Sequence, residues 1–213
     1  MKRVFLFLPF IVTIFFPSCL SDMPDSISSD SGLNPSIAFP LGKTSVGLNS
    51  VSGFNEALLE TNPLTNEPYW VEFEQIPLSY SMQFNMGDIY QNSEEVVELL
   101  FRLNIYNGFP ANVQVQVYFL DYSGFATDSV FSDGPLGLNP ATAKDNGEIT
   151  SKPHEQKDIL FNSERIDNLQ FVDRVMVSVV FSTEGIDKDL VEYYDDYLVD
   201  VQIGVKANLK FGL

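Results

Sequence analysis

The most constraining pattern in this chain is a strict two-residue alternation that runs from Val199 to Leu213. The odd positions of this stretch are all apolar, and the even positions are all polar or glycine. Because successive side chains of a β-strand point to opposite faces of the sheet, the pattern predicts a strand with one buried and one solvated face. Burying a large aliphatic side chain contributes roughly 1.5–3 kcal/mol, so we expect this last strand to be essential for folding.

The same alternation recurs along the rest of the chain and predicts further strands. Apolar residues alternate with other residues at 71–73, 80–86, 99–105, 113–119 and 175–181. No internal repeat is evident, and strands do not alternate with helices. The sequence therefore predicts a mainly β chain, folded as an antiparallel two-layer β-sandwich of about seven or more strands with one or two short helices.

Local signals predict how two of these segments begin and are joined. A helix capped by Ser93 competes with a strand that begins at about Val97. We favour the strand, because Ile105 and Tyr106 extend the alternation and because β-branched and aromatic residues suit a sheet. The stretch Asn107–Asn112 separates two alternating strands and contains turn-forming residues, so it predicts a hairpin.

Two short helices are predicted, at 54–60 and at 164–169, the second capped by Ser163. The stretch 121–158 is rich in turn residues and predicts loops, with turns at 132–135 and a short strand near 128–131.

Composition excludes several classes of protein. The chain has 213 residues, of which 45% are apolar and 13% aromatic, so it is not disordered throughout. A single cysteine excludes an intramolecular disulfide and a cysteine-based zinc cluster, and a single histidine excludes a multi-histidine metal site. With 12 basic against 29 acidic residues the formal net charge is −17, which would repel nucleic acid.

The N-terminus has the three-part layout of a secretory signal peptide. Lys2 and Arg3 precede an apolar run, Val4–Phe16, which is followed by Pro17, Ser18 and Cys19. Thirteen helical residues would cover only about 20 Å, against a hydrocarbon core of about 30 Å. A cleaved signal is therefore favoured over a membrane span.

The lone cysteine directly follows this apolar run, and the layout resembles a bacterial lipoprotein signal. That resemblance implies cleavage before Cys19 and acylation of its thiol, with palmitate among the attached chains. The residues three and two before the cysteine, Phe16 and Pro17, depart from the usual pattern of leucine and a small residue. An ordinary signal peptide with an unrelated thiol nearby is the alternative. Several acyl chains on one cysteine would hold the protein on a membrane essentially permanently.

The remaining chain divides into a spacer and a domain. Residues 20–36 are rich in serine and aspartate and offer little to bury, so they predict a flexible tether. We expect a signal peptide at 1–18, a tether at 19–36 and a single β-rich domain at 37–213. Loss of Lys2 and Arg3 with the signal leaves 10 basic against 29 acidic residues, a side-chain net charge of −19.

The lipoprotein-like start, the stretch 39–45 (FPLGKTS) and the stretch 107–121 (NGFPANVQVQVYFLD) together resemble uncharacterised Bacteroidetes outer-membrane lipoproteins. The resemblance extends over most of residues 37–211. It implies a β-sandwich-like domain that is exported and held on the outer membrane, at the cell surface or on the periplasmic face. It implies no enzymatic activity.

No catalytic residue is predicted. His154 lies in a polar stretch without a nucleophile motif, which indicates a surface loop. The densest acidic groups, 187–189 and 195–196, indicate solvated turns rather than cation ligands. Three aromatic pairs, Tyr69 with Trp70, Tyr118 with Tyr122 and Tyr193 with Tyr194, could form a sugar- or peptide-binding face, although packing on the core is favoured.

The sequence thus predicts a lipid-anchored, non-catalytic binding or scaffold module of the cell envelope. We expect no cofactor and no metal, a membrane contact through Cys19, and a protein or glycan partner that the residues do not identify. One alternative is a fimbrial, pilin-like subunit matured by a cut after a basic residue, for which Lys43 is available. A second is a lipid-handling periplasmic accessory protein, which needs an apolar cavity. An enzyme is not favoured.

Overall fold

The computed structural model describes residues 36–48, 59–70, 75–84, 96–182 and 188–209. The predicted signal peptide and Cys19 lie outside these residues, as do 54–58 of the first predicted helix and 71–74 of one predicted strand. The described strands are β1 (Ser36–Gly47), β2 (Leu59–Thr61), β3 (Pro68–Trp70), β4 (Ile76–Gln83), β5 (Val96–Asn107), β6 (Val113–Asp121), β7 (Ala126–Ser129), β8 (Leu136–Leu138), β9 (Thr142–Ala143), β10 (Ile149–Ser151), β11 (His154–Phe161), β12 (Val172–Phe181) and β13 (Leu198–Leu209).

Antiparallel pairing assembles these strands into two main sheets. The four-stranded sheet has the order β1-β13-β5-β11, and the five-stranded sheet has the order β4-β12-β6-β7, with β8 also paired to β6. Two further pairs, β2 with β3 and β9 with β10, form separate two-stranded sheets. The predicted mainly β, sandwich-like architecture is confirmed.

The last strand lies at the centre of the four-stranded sheet, between β1 and β5. Val199 and Val201 are fully buried and Ile203 is 3% exposed, while Asp200 and Gln202 between them remain half-exposed. The alternation therefore fixes which face of β13 meets the other sheet.

Aromatic rings fill the space between the two sheets. The centroid of Phe101 in β5 lies 5.2 Å from that of Phe119 in β6 and 4.6 Å from that of Phe161 in β11. The rings of Phe119 and Phe161 are 5.7 Å apart in an edge-to-face arrangement. All three side chains are at most 1% exposed, so the sheets enclose a packed core at this point.

The stretch 107–112 does not form the predicted hairpin, because β5 and β6 belong to different sheets. Asn107 is fully buried, and its amide donates to the carbonyl oxygens of Ala111 and Asn139 and accepts from the backbone N–H of Phe109. The Phe109 ring packs into the core, 4.4 Å from that of Phe181. These contacts carry the chain from one sheet to the other, where a hairpin would keep it in the same sheet.

The side chain of Gln116 bridges a gap in the five-stranded sheet. Strands β7 and β8 pair with opposite halves of the same edge of β6, and the predicted turn at 132–135 lies between them. Gln116 donates to the carbonyl of Phe131 and accepts from the N–H groups of Val117 and Phe131. It therefore replaces the strand hydrogen bonds that are missing at this point.

The second predicted helix is α1 (Ser163–Asn168), and a 3-10 helix at Leu169–Phe171 continues it. Its N-cap is Asn162 rather than Ser163, because the Asn162 side chain accepts from the N–H of Arg165 at 3.1 Å. Of the first predicted helix, Leu59 and Glu60 lie in β2 instead. A second 3-10 helix spans Lys188–Asp196. Within the described ranges, no helix is long and apolar enough to cross a membrane.

The stretch 121–158, predicted as loops with a short strand near 128–131, contains four short strands and the start of β11; β7 overlaps the predicted strand. Short edge strands of two to four residues bury few side chains, so their sequences show little alternation.

Candidate binding surface

The outer face of the four-stranded sheet is a regular grid of side chains. Strand register aligns residues from β1, β13, β5 and β11 in rows that cross the sheet. The rows are Ser45–Asp200–Tyr106–His154, Lys43–Gln202–Asn104–Gln156, Pro40–Gly204–Arg102–Asp158 and Ala38–Lys206–Leu100–Leu160.

A depression of about 420 Å³ lies on this face where Gly204 leaves a gap in its row. Pro40 and Ala38 of β1 line one side, and Leu100 and Arg102 of β5 line the other. An adjoining depression of about 450 Å³ continues toward Lys43 and Asn104. The backbone of the central strand β13 forms the floor of the depression at Gly204, so this site lies on a rigid element of the fold.

Arg102 forms a two-point ion pair with Asp158 of the neighbouring strand. Its Nε lies 2.7 Å from Oδ1 and its Nη2 lies 2.5 Å from Oδ2. The hydrogen bonds to Arg102 lower the pKa of Asp158, and those to Asp158 raise the pKa of Arg102. The bidentate contact draws the guanidinium toward β11 and leaves the space above Gly204 open.

Two lysines flank the depression without an ion-pair partner among the described residues. Lys206 lines the first depression and Lys43 the second, and both side chains are exposed. In a chain with 12 basic and 29 acidic residues, this places Arg102 and Lys206 beside the first depression and Lys43 beside the second, which adjoins it. The arrangement suits a ligand that carries both an apolar group and a negative charge.

His154 lies in a strand rather than in the predicted loop. It is the first residue of β11, and its ring stacks on that of Tyr106 with centroids 4.2 Å apart and planes 10° from parallel. Within the part of the chain that the structure describes, no group of three or more histidine, cysteine or carboxylate side chains could hold a metal ion. His154 is thus one member of a cross-strand pair on the sheet face.

The structure separates the aromatic residues that the sequence singled out. Tyr194 is buried at 2% exposure and packs on the core, whereas Tyr118 is half-buried and Tyr122 is 81% exposed. For Tyr69 and Trp70 the structure describes the backbone strand but not the side chains. Asp195 and Asp196 are exposed on the second 3-10 helix. The predicted aromatic face is therefore not assembled from Tyr118, Tyr122 and Tyr194.

The depression itself was not predicted from sequence. The one available signal was Gly204, a glycine among the polar positions of an otherwise regular alternation. A glycine there leaves a hollow only if its neighbours on both adjacent strands point away or are short, and strand pairing decides that.

No family model matches the chain, and no curated protein matches it either. Among solved structures, it is similar to infectious bursal disease virus, Gx strain, at 12% identity with a TM-score of 0.38, and to the VP2 subviral particle of that virus at 10% and 0.36. Each match covers 84% of this chain and, respectively, 32% and 33% of the viral chain.

The chain is also similar to the enzymatically active domain of bacteriophage CBA120 tailspike protein 4, at 8% identity with a TM-score of 0.30. This match covers 85% of the chain and 20% of the tailspike. The chain thus spans about a third or less of the length of these structures. At such TM-scores the similarities carry no conclusion about function.

Proposed function

We propose that the protein is a lipid-anchored lipoprotein of the cell envelope whose β-rich domain is a non-catalytic binding or scaffold module. The anchor rests on the position of the only cysteine, Cys19, directly behind the N-terminal apolar run. The binding role rests on one structural observation, the depression at Gly204 with its apolar floor and cationic rim. A rigid sheet face with an open hollow can hold a ligand, and the described residues that line it include no nucleophile paired with a base.

The ligand we expect presents an apolar group and an anionic group together. The apolar part would lie against Pro40 and Leu100, and the negative charge would face Lys43 or Lys206. Because the charge of Arg102 is paired with that of Asp158, the Arg102 side chain serves mainly as a wall of the site. An acidic peptide or an envelope glycan with a carboxylate fits this description.

The lipid-handling alternative receives less support from the packing. It needs an apolar cavity between the sheets, whereas the rings of Phe101, Phe119 and Phe161 are in mutual contact there. The fimbrial alternative needs cleavage after Lys43. That residue lies within β1, paired with Gln202, so a cut there would divide a regular strand.

Palmitate labelling and protease treatment of intact cells test the anchor. Radiolabelled palmitate should label the wild-type chain and not a Cys19→Ala variant. Removal of the domain from whole cells by protease would place it on the surface, and protection would place it on the periplasmic face. Absence of label on the wild type would refute the lipoprotein assignment.

A pair of glycine substitutions tests the depression. Gly204→Val should fill the hollow with a residue that suits a strand, while Gly137→Val in β8 adds a side chain where nothing lies within 4 Å. Binding to a panel of acidic peptides and carboxylated glycans should be lost in the first variant and kept in the second. Equal binding by both variants would show that the ligand binds elsewhere.

A further inference from the structure

Three aromatic side chains are exposed together at one end of the fold. Tyr122 is 81% exposed, Phe125 is 73% exposed and Phe171 is 67% exposed. The first two lie in the β6–β7 turn, and Phe171 directly precedes Val172, whose strand partner is Asp121. We refer to Tyr122, Phe125 and Phe171 as the aromatic tip.

Hydrogen bonds from side chains and backbone hold the turn that presents this tip. The Asp121 carboxylate accepts from the N–H groups of Ser123 and Phe125, at 2.8 and 2.9 Å. The Asp121 N–H donates to the carbonyl of Phe125, and Gly124 adopts the positive φ of +87° that the turn requires. Arg174 donates to the carbonyl of Tyr122. The aromatic rings are therefore displayed by an ordered turn, although exposed apolar side chains gain nothing in water.

The chain enters the domain at the same end of the fold. β1 begins at Ser36, which pairs with Asn208, close to the start of β5 at Val96. The start of β5 lies opposite the end of β6, as the contact between Phe101 and Phe119 shows. The aromatic tip follows that end of β6, so the tip and the start of β1 lie at the same end of the sheets. We call this end the entry end.

At the opposite end of the fold, three large aromatic side chains are buried. There Phe109, Tyr194 and Tyr197 are at most 4% exposed and pack on one another. At the entry end, by contrast, Val97 and Leu160 are also more than half exposed. Among the large apolar side chains that are exposed in the described ranges, five lie toward the entry end: Val97, Tyr122, Phe125, Leu160 and Phe171.

We propose that the aromatic tip inserts into the interface of the membrane that holds the lipid anchor. This inference rests on the proposed function, because it takes Cys19 to be acylated. Sixteen residues separate Cys19 from Ser36, and a flexible chain of that length spans about 22 Å on average. The anchor therefore keeps the entry end near the bilayer, and exposed tyrosine and phenylalanine side chains favour its interfacial region.

The charges beside the tip are compatible with this contact. The Asp121 carboxylate is bonded to backbone N–H groups, and Asp173 lies 3.2 Å from Nε of Arg174. The side-chain net charge of the cleaved chain, −19, repels anionic lipid. We therefore expect insertion into zwitterionic bilayers and weaker insertion when anionic lipid is added. Contact at both Cys19 and the tip would fix the orientation of the domain. The outer face of the four-stranded sheet would then be directed sideways or away from the lipid.

Fluorescence quenching in the full, acylated chain tests the proposal. Trp70 is the only tryptophan, so Phe125→Trp is introduced in a Trp70→Phe background and reconstituted in phosphatidylcholine vesicles with and without brominated acyl chains. The matched control is Asn112→Trp, an exposed site directly before β6, at the end of that strand opposite to the aromatic tip. Bromine should reduce the emission at position 125 and leave that at position 112 unchanged.

The outcomes separate this inference from the proposed function. Vesicle-bound, palmitate-labelled protein with equal quenching at both positions overturns the inference and leaves the lipoprotein assignment intact. A chain that carries no palmitate overturns both. A Phe171→Trp reporter provides a second test: its quenching should disappear when Tyr122→Ser and Phe125→Ser are added, and quenching that persists would show that the three residues do not act as one surface.

Discussion

Arg165 in α1 forms a two-point ion pair with Asp128 in β7, with Nε–Oδ2 and Nη2–Oδ1 distances of 3.1 and 3.0 Å. The same guanidinium donates to the carbonyl of Ser129, and its carbon lies 3.5 Å from the centroid of the Phe161 ring. Helix α1 follows the edge strand of one sheet, and β7 is the edge strand of the other. One side chain thus joins the two layers at the end where the chain crosses from β11 to β12.

Replacing this arginine should be costly. Both side chains of the pair are less than a quarter exposed, and removing one partner of a largely buried pair typically costs about 3–5 kcal/mol. We expect Arg165→Ala to lower the free energy of unfolding by an amount in this range, measured by urea denaturation. The control is Arg174→Ala, whose partner Asp173 lies on the surface and whose loss should cost about 1 kcal/mol or less. Similar losses in the two variants would contradict the role assigned to Arg165.

Asn107 should be the most sensitive polar residue of the interior. It is fully buried, and all three hydrogen bonds of its side chain are to backbone groups. Asn107→Ala removes the hydrogen bond that the amide makes with each of two carbonyls and one N–H, at about 1–3 kcal/mol for each group left unsatisfied. We expect thermal unfolding well below that of the wild type. The exposed neighbour Asn112 provides the control, since Asn112→Ala should change the melting temperature little; a stable Asn107→Ala variant would show that water replaces the amide.

Alkaline pH should weaken the fold through Tyr197. Burial raises the pKa of its hydroxyl, helped by the charges of Tyr193 and Asp196, and the hydroxyl donates to the carbonyl of Gly147 at 2.9 Å. The folded state holds this proton more tightly than the unfolded state does. The contribution of Tyr197 to the free energy of unfolding is therefore complete below the unfolded pKa of about 10, and it is lost as pH rises through the higher folded pKa.

Stability measured from pH 8 to 12 should therefore fall less steeply in a Tyr197→Phe variant than in the wild type. The variant should also lose about 1 kcal/mol at neutral pH with the hydrogen bond. Parallel pH profiles for the two proteins would exclude Tyr197 as the source.

The alternation in β13 can be tested at adjacent residues. Ile203 is 3% exposed and faces the core, so Ile203→Ala should cost about 2–5 kcal/mol through lost burial and the cavity left behind. Gln202 lies on the outer face in the next position, and Gln202→Ala should change stability by about 0.5 kcal/mol or less. Denaturant titration of both variants gives the comparison. Equal effects would mean that β13 pairs in a different register.

Much of the secondary structure could be predicted, and the errors of prediction have identifiable physical causes. The strand at β13 and the strand at β5 were predicted because each buries one whole face, which the sequence displays as alternation. The connection at 107–112 was misassigned because an Asn-Gly pair suits a hairpin as well as a crossing, and because two contacts that fix the crossing, Asn107 with Asn139 and Phe109 with Phe181, join residues far apart in sequence. The cap of α1 was placed one residue late, since adjacent Asn162 and Ser163 are both good caps.

The sequence alone determined the class of fold and the hypothesis of a lipid anchor, because both are local: an alternation of period two, and a basic-apolar-cysteine order at the N-terminus. Only the tertiary structure decided which strands lie side by side. Pairing places Gly204 between Pro40 and Arg102 and so creates the depression, and it brings Tyr122, Phe125 and Phe171 to the end where β1 begins. The reason is that a hollow and a surface patch are properties of neighbours, and in a sheet most neighbours are distant in sequence.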